Sequence, residues 1–89
     1  MRVDQSATGD VIKRLRRAEG QIRGVIGMLE DGRDCAEVVM QLAAVSRALD
    51  RAGFKIIASG LQQCVMAADD GEDSSVDLAK MEKLFLSLA

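Results

Sequence analysis

The sequence predicts an all-α protein, and three observations support this fold class. The 89-residue chain contains no proline. Aromatic residues make up 2% of it although hydrophobic residues make up 48%, so aliphatic side chains supply the apolar surface. Apolar residues recur at the three- and four-residue spacing of helices along most of the chain. A chain of this length forms at most one domain with a modest core, so we expect oligomerisation to add stability.

The first predicted helix follows a polar segment. We expect residues 1–9 to form a flexible tail and residues 10–89 to form the folded domain, with Asp10 as the helix N-cap. Gly32 suits the left-handed position that ends many helices. The larger apolar residues of this helix fall on the a and d positions of a heptad repeat: Ile12, Leu15, Ile22, Ile26 and Leu29.

The second predicted helix is much longer and runs from Cys35 to about Ala68. Asp34 is its expected N-cap, and Glu37 is placed to complete a capping box. At 1.5 Å per residue this helix is about 50 Å long. One small chain cannot cover so long an apolar stripe, so we expect a partner helix from a second copy. The stripe continues the heptad pattern through Val38, Leu42, Val45, Leu49, Ala52 and Ile56.

An acidic turn, "DDGEDSS", separates this helix from a third one. Ser74 or Ser75 is the expected N-cap of the third helix, which should run to the end of the chain. Its predicted apolar face comprises Leu78, Met81, Leu84, Phe85 and Leu88.

Charge is segregated along the chain, although the overall net charge is only −2. Residues 11–24 contain five basic residues and one acidic residue, whereas residues 69–77 contain five acidic residues and no basic one. A local basic patch is what meets phosphate, so an acidic total does not exclude a nucleic-acid partner. No aromatic residue accompanies the basic ones, which favours duplex binding over single-strand stacking. Ordinary solvated helix faces, with ion pairs to Glu19 and Asp50, are the alternative.

Cys35 and Cys64 are 29 residues apart and would be separated by about 43 Å along one continuous helix. A disulfide requires Cα atoms within about 7 Å, so the two thiols of one chain cannot meet. They share one helix stripe, and an antiparallel pair of chains would place Cys35 of one opposite Cys64 of the other. The alternative is that both are ordinary buried cysteines. Cys35 lies at a helix start, where the helix dipole makes a thiol more reactive.

The runs "RLRRAEGQIRG", "GRDC", "QLAAVSRALDRAG" and "LQQCV" resemble the CsoR/RcnR family of bacterial repressors, over about residues 11–88. That family includes sensors of copper, of nickel or cobalt, of formaldehyde and of persulfide. The resemblance implies a three-helix protomer, an antiparallel four-helix-bundle dimer and a dimer of dimers. It also implies binding of double-stranded operator DNA across the first two helices. The positions implied to contact DNA are Arg14 and Arg51, supported by Lys13, Arg16, Arg17 and Lys55.

The family's sensing positions fall on Cys35, Gly60 and Cys64. The chain has no histidine, and imidazole is the ligand expected for nickel or cobalt. Arg2 stands where the formaldehyde branch has proline. A pair of thiols without histidine resembles the persulfide-sensing branch, which implies attack by Cys35, resolution by Cys64 and no bound cofactor. The alternative is a Cu(I) sensor in which these two thiolates are the metal ligands.

The sequence does not favour an enzyme or a membrane protein. No general base, oxyanion site or glycine-rich loop accompanies the thiols, so a thiol enzyme is a remote alternative. No apolar run approaches the roughly 20 residues of a membrane span, and the first ten residues do not resemble a signal peptide. We therefore expect a cytoplasmic protein.

Overall fold

The computed structural model describes residue 3, residues 5–71 and residues 75–89. It contains the helices α1 (Gln5–Glu30), α2 (Cys35–Asp69) and α3 (Ser75–Leu88), and no strand occurs among the described residues. A short loop joins α1 to α2 as a helical hairpin, and α3 packs against α2. The Cα atoms extend over 58 × 24 × 12 Å, so the thickness is close to that of one helix. The all-α prediction is confirmed, and the protomer is a single layer of helices.

The start of α1 differs from the prediction. The helix begins at Gln5, so the expected N-cap at Asp10 is wrong. Ala7 and Val11 lie one turn apart and are both buried, so packing continues before Asp10. Residues 1, 2 and 4 of the predicted tail lie outside the described residues.

Small side chains at seven-residue intervals form the contact between α1 and α2. One core cluster joins Val25 to Val38 and Val45, with Met28 packed against it. Small residues on both helices allow close approach, and the repeat keeps them facing each other as in a coiled coil. The buried residues on this contact are Val11, Ala18 and Val25 of α1, and Val38, Val45 and Ala52 of α2.

The larger apolar residues of the heptad patterns point away from this contact. On each helix these residues are rotated in the same direction, seen along the chain, from the residues that form the α1–α2 contact. Because the two helices of the hairpin run in opposite directions, both sets lie on the same side of the layer. These side chains are between 40% and 63% exposed in one protomer. Such a continuous exposed apolar surface is characteristic of an interface. We call it the apolar face: Ile12, Leu15, Ile22, Ile26, Leu29, Leu42 and Leu49.

The predicted C-terminal end of α1 and the predicted N-cap of α2 are confirmed. Gly32 has a φ of 67° and donates to the Leu29 carbonyl at 3.2 Å, while Arg33 donates to the Met28 carbonyl at 2.9 Å. This pair of bonds is a Schellman motif. The Asp34 carboxylate accepts from the amide of Ala36 at 3.1 Å and caps α2. Glu37, expected to complete a capping box, instead pairs with Arg33 Nε at 3.2 Å.

Met81 of α3 and two residues of α2, Ile57 and Cys64, form a second buried cluster, and Phe54 and Leu88 pack against it. The Met81 and Leu88 part of the predicted apolar face of α3 is therefore confirmed.

Two contacts hold the C-terminal part of α3 close to α2. The rings of Phe54 and Phe85 lie 5.4 Å apart between centroids, at a tilt of 58°. A Cβ on Gly53 would lie 2.7 Å from Leu88 Cδ1, so glycine allows this close approach. Ser75 is the first residue of α3, and the alternative N-cap Ser74 lies outside the described residues.

Candidate nucleic-acid interface and sensor thiols

A basic groove lies between α1 and α2 and has a volume of about 490 Å³. The small side chains of Ala44 and Ala48 leave room between the two helices, and Gln21 and Asp10 also line the groove. Its five cationic residues outnumber the single carboxylate, and we call them the groove cations: Lys13, Arg14, Arg17, Arg47 and Arg51.

Helix periodicity explains why these charges converge. Lys13 and Arg17 lie four residues apart on α1, and Arg47 and Arg51 lie four residues apart on α2, so each pair shares one helix face. On both helices the groove side and the apolar face lie on opposite sides of the α1–α2 contact. The hairpin layer therefore has one basic face and one apolar face.

The structure places the six predicted DNA-contacting residues in three settings. Lys13, Arg14, Arg17 and Arg51 line the groove. Lys55 joins the same face through its 3.2 Å contact with Asp10. Arg16 is exposed on α1 but is not part of the groove lining.

Arg47 lines the groove although it is not among the six positions that the family resemblance implies to contact DNA. Its spacing of four residues from Arg51, and of eight from Lys55, is the signal that identifies it.

Asp10 is a groove residue whose role the sequence did not indicate. Its Oδ2 accepts from Arg14 Nε at 2.8 Å and from Lys55 Nζ at 3.2 Å. The hydrogen bond from Arg14, and then that from Lys55, lowers the pKa of the Asp10 carboxyl below its ordinary value of 3.8. The carboxylate is therefore ionised at neutral pH and is a fixed negative charge among the groove cations.

Gln21 is a polar residue at the groove with an unpaired atom. Its Oε1 is buried and has no hydrogen-bond partner in the described part of the chain. An unpaired buried carbonyl oxygen costs about 1–3 kcal/mol. A substitution that removes this oxygen tests whether it lowers the stability of the α1–α2 hairpin.

The two cysteines have opposite environments. Cys35 is the first residue of α2 and is exposed, whereas Cys64 is only 3% exposed and belongs to the cluster with Ile57 and Met81. Neither cysteine forms a disulfide within the described chain. Because α2 is one continuous helix, the axial separation of about 43 Å applies, and the two thiols of one chain cannot bond. Gly60, one turn before Cys64, is also buried.

Within one protomer the described residues contain no group of three His, Cys, Asp or Glu side chains that could hold a metal ion. Among the same residues, no helix is long and apolar enough to cross a membrane. Because Cys35 and Cys64 of one chain are about 43 Å apart along α2, any metal site that uses both cysteines requires two chains.

The chain is similar to known proteins over all three of its helices. The sequence model of a family described as metal-sensitive transcriptional repressor matches residues 7–87. The copper-sensing transcriptional repressor RicR of Mycobacterium tuberculosis is 41% identical over 56 residues, which cover 63% of this chain and 58% of that protein. The copper-sensing transcriptional repressor CsoR of Bacillus subtilis is 32% identical over 78 residues, covering 84% and 77%.

A solved structure shows the same architecture. The nickel-responsive transcriptional regulator InrS superposes with a TM-score of 0.82 at 30% identity, covering 100% of this chain and 98% of that one. These relatives are transcriptional regulators and not enzymes.

Proposed function

Because the chain belongs to the family of metal-sensitive transcriptional repressors, the CsoR/RcnR family, we propose that it binds operator DNA through its basic groove. We further propose that chemistry at Cys35 and Cys64 lowers this affinity. Repression of this kind takes place in the cytoplasm, where the DNA is. The observation that carries the proposal is the convergence of five cations from two helices on one face of the hairpin.

The groove has the properties that duplex binding requires. Arginine and lysine side chains neutralise phosphates and release counterions, which is the main sequence-independent source of affinity for DNA. The groove cations come from both helices, so they form a surface rather than a single row. The apolar face lies on the opposite side of the layer, so the basic face stays free when two copies pair.

The apolar face supports a dimer as the DNA-binding species. Two copies that pack these faces together antiparallel form a four-helix bundle and remove the large exposed side chains from water. In the proposed assembly the two α2 helices cross near Leu49 and Asp50, midway between the cysteines. Two such dimers then form a homotetramer with several basic grooves.

This dimer brings Cys35 of one chain to Cys64 of the partner subunit. The exposed Cys35 thiolate attacks the terminal sulfur of a persulfide donor, so that Cys35 becomes a persulfide and the donor leaves as a thiolate. The Cys64 thiolate of the partner subunit then attacks the inner sulfur, forms a disulfide between chains and releases hydrosulfide. The exposure of Cys35 and the burial of Cys64 support this order of attack.

A persulfide donor added to the reduced protein tests sulfur sensing. We expect a covalent dimer on a non-reducing gel, a peptide that joins Cys35 to Cys64, and weaker binding to operator DNA. Cys35→Ser and Cys64→Ser are the controls, and each should abolish the cross-link. If the donor produces no cross-link and DNA affinity stays unchanged, sulfur sensing is refuted.

Cu(I) is a second candidate signal, because two of the relatives are copper-sensing repressors. Thiolates and thioethers are soft ligands that suit Cu(I), and Met81 belongs to the same buried cluster as Cys64. With Cys35 of the partner subunit, these residues would supply three sulfur ligands in a chain that contains no histidine. The fit therefore requires the dimer.

Titration with Cu(I) against a competing chelator separates the two signals. Met81→Leu keeps the volume of the side chain and removes the sulfur. If Cu(I) is the signal, this variant binds Cu(I) more weakly while its persulfide cross-link is unchanged. Absence of stoichiometric Cu(I) binding by the reduced parent protein would rule out this candidate.

A further inference from the structure

The Asp10 carboxylate lies where two cations from different helices converge. Arg14 of α1 and Lys55 of α2 both contact the same oxygen, Oδ2, at 2.8 Å and 3.2 Å. By contrast, the Arg23–Glu19 and Arg33–Glu37 pairs each join residues only four apart in the sequence. The Arg14 contact also lies within α1, whereas the Lys55 contact connects α1 to α2 at the edge of the basic groove.

An oxygen with this environment resembles a bound phosphate oxygen. Carboxylate and phosphate oxygens accept charge-assisted hydrogen bonds from arginine and lysine at similar distances. Arg14 is also one of the groove cations, and the family resemblance implies that both Arg14 and Lys55 contact DNA. The same two donors cannot serve Asp10 and a DNA phosphate fully at the same time.

We propose that Asp10 is an intramolecular competitor of DNA phosphate. It occupies the anion subsite formed by Arg14 and Lys55 until a duplex that makes enough other contacts displaces it. The inference rests on the proposed function and adds a residue that sets specificity. Asp10 reduces binding to any duplex, whereas only an operator recovers the loss through contacts that depend on its sequence or shape.

The exposure of the cluster indicates that its main effect is on DNA and not on folding. The Asp10, Arg14 and Lys55 side chains are 39%, 42% and 44% exposed. Ion pairs this exposed contribute little to stability, because water and salt screen them. Removal of the Asp10 charge should therefore leave the fold intact and open the subsite.

The expected effect is one additional phosphate contact for each groove on the duplex. Each contact steepens the dependence of log affinity on log salt by about 0.9. Between about 50 mM and 200 mM salt, one added contact therefore increases the loss of affinity by about 3.5-fold. Affinity for a duplex of unrelated sequence should rise most at low salt, and the ratio of operator to unrelated binding should fall.

The experiment measures fluorescence polarisation of a labelled unrelated duplex and of a regulatory duplex over a salt series, with the whole 89-residue chain in its reduced form. The variants are Asp10→Asn, which keeps the shape, and Asp10→Ala, which removes the group. Glu19→Gln is the matched control, and sedimentation velocity verifies that its assembly is unchanged, because Glu19 shares a heptad position with Ile12 and Ile26 of the apolar face. It removes the same charge from the same helix beside another arginine, at 3.4 Å from Arg23, away from the groove lining.

We expect both Asp10 variants to bind the unrelated duplex more tightly and with a steeper salt dependence, and Glu19→Gln to change binding little. Equal effects of Asp10→Asn and Glu19→Gln would overturn the inference, because net charge alone would then explain them. Weaker binding by both Asp10 variants would also overturn it, since Asp10 would then position the cations. If the parent protein shows no salt-dependent duplex binding, the proposed function fails and the inference fails with it.

Discussion

Truncation of Leu49 tests whether the apolar face is a dimer interface. Leu49 is 42% exposed in one protomer and lies beside the expected two-fold axis. Full burial of a leucine contributes about 1.5–3 kcal/mol, so the fraction still exposed corresponds to about 1 kcal/mol per protomer. Symmetry doubles this in a dimer to about 2 kcal/mol. Leu49→Ala should therefore raise the dimer dissociation constant about thirtyfold, at about 1.4 kcal/mol per factor of ten.

Sedimentation velocity over a concentration series measures this change, and circular dichroism verifies that the helices remain. The protomer contact uses valine and alanine residues instead of Leu49, so helix content should not fall. Leu84→Ala is the matched control, because Leu84 is 49% exposed but belongs to α3 and not to the apolar face. A parent protein that stays monomeric at micromolar concentration would refute the reasoning, as would equal effects of the two substitutions.

Three further predictions concern the groove and the thiols. Arg51→Ala should weaken binding to a regulatory duplex and reduce its salt dependence by about one phosphate contact. Arg16→Ala, outside the groove lining, should weaken binding less than Arg51→Ala does. Equal losses of DNA affinity would contradict the proposal that the basic groove binds DNA. Gln21→Met removes an unpaired buried oxygen, so it should raise stability to chemical denaturation by about 1–3 kcal/mol. Iodoacetamide followed by mass spectrometry should modify Cys35 in the native protein and Cys64 only after unfolding.

Local sequence signals predicted the helix ends well and the start of α1 poorly. Gly32 and Asp34 act through their own backbone and side-chain hydrogen bonds, so their roles are visible in the sequence. The extension of α1 to Gln5 depends on burial of Ala7 in the folded hairpin. A polar run such as "DQSATGD" contains no sign of that contact.

The heptad pattern predicted packing but did not identify which stripe packs inside the protomer. Two neighbouring stripes run along each helix, one of valine and alanine and one of isoleucine and leucine. Val45 and Leu49 belong to different stripes and are only one turn apart. Hydrophobicity alone favours the larger residues as core, whereas the structure buries the smaller ones because they let two helices approach closely.

The sequence predicted that this surface would be basic, but it predicted less well which residues line the groove. Four of the six predicted residues line it, because helical spacing determines which side chains share a face. Arg16 lies two residues after Arg14 and is turned away from the groove by about 200°. Asp10 could not be found from the sequence, since its contact with Lys55 joins positions 45 residues apart on different helices.

The continuity of α2 explains how thiol chemistry could act on DNA without a separate signalling element. One helix of 35 residues carries Cys35 at its start, Arg47 and Arg51 near its middle and Cys64 near its end. In the proposed dimer a bond between Cys35 and Cys64 of the partner subunit joins the two α2 helices far from their crossing point. We propose that a constraint there alters the crossing angle, and with it the relative orientation of the two grooves. Phosphate positions on a duplex are fixed by its geometry, so a change in groove orientation weakens both sets of contacts together.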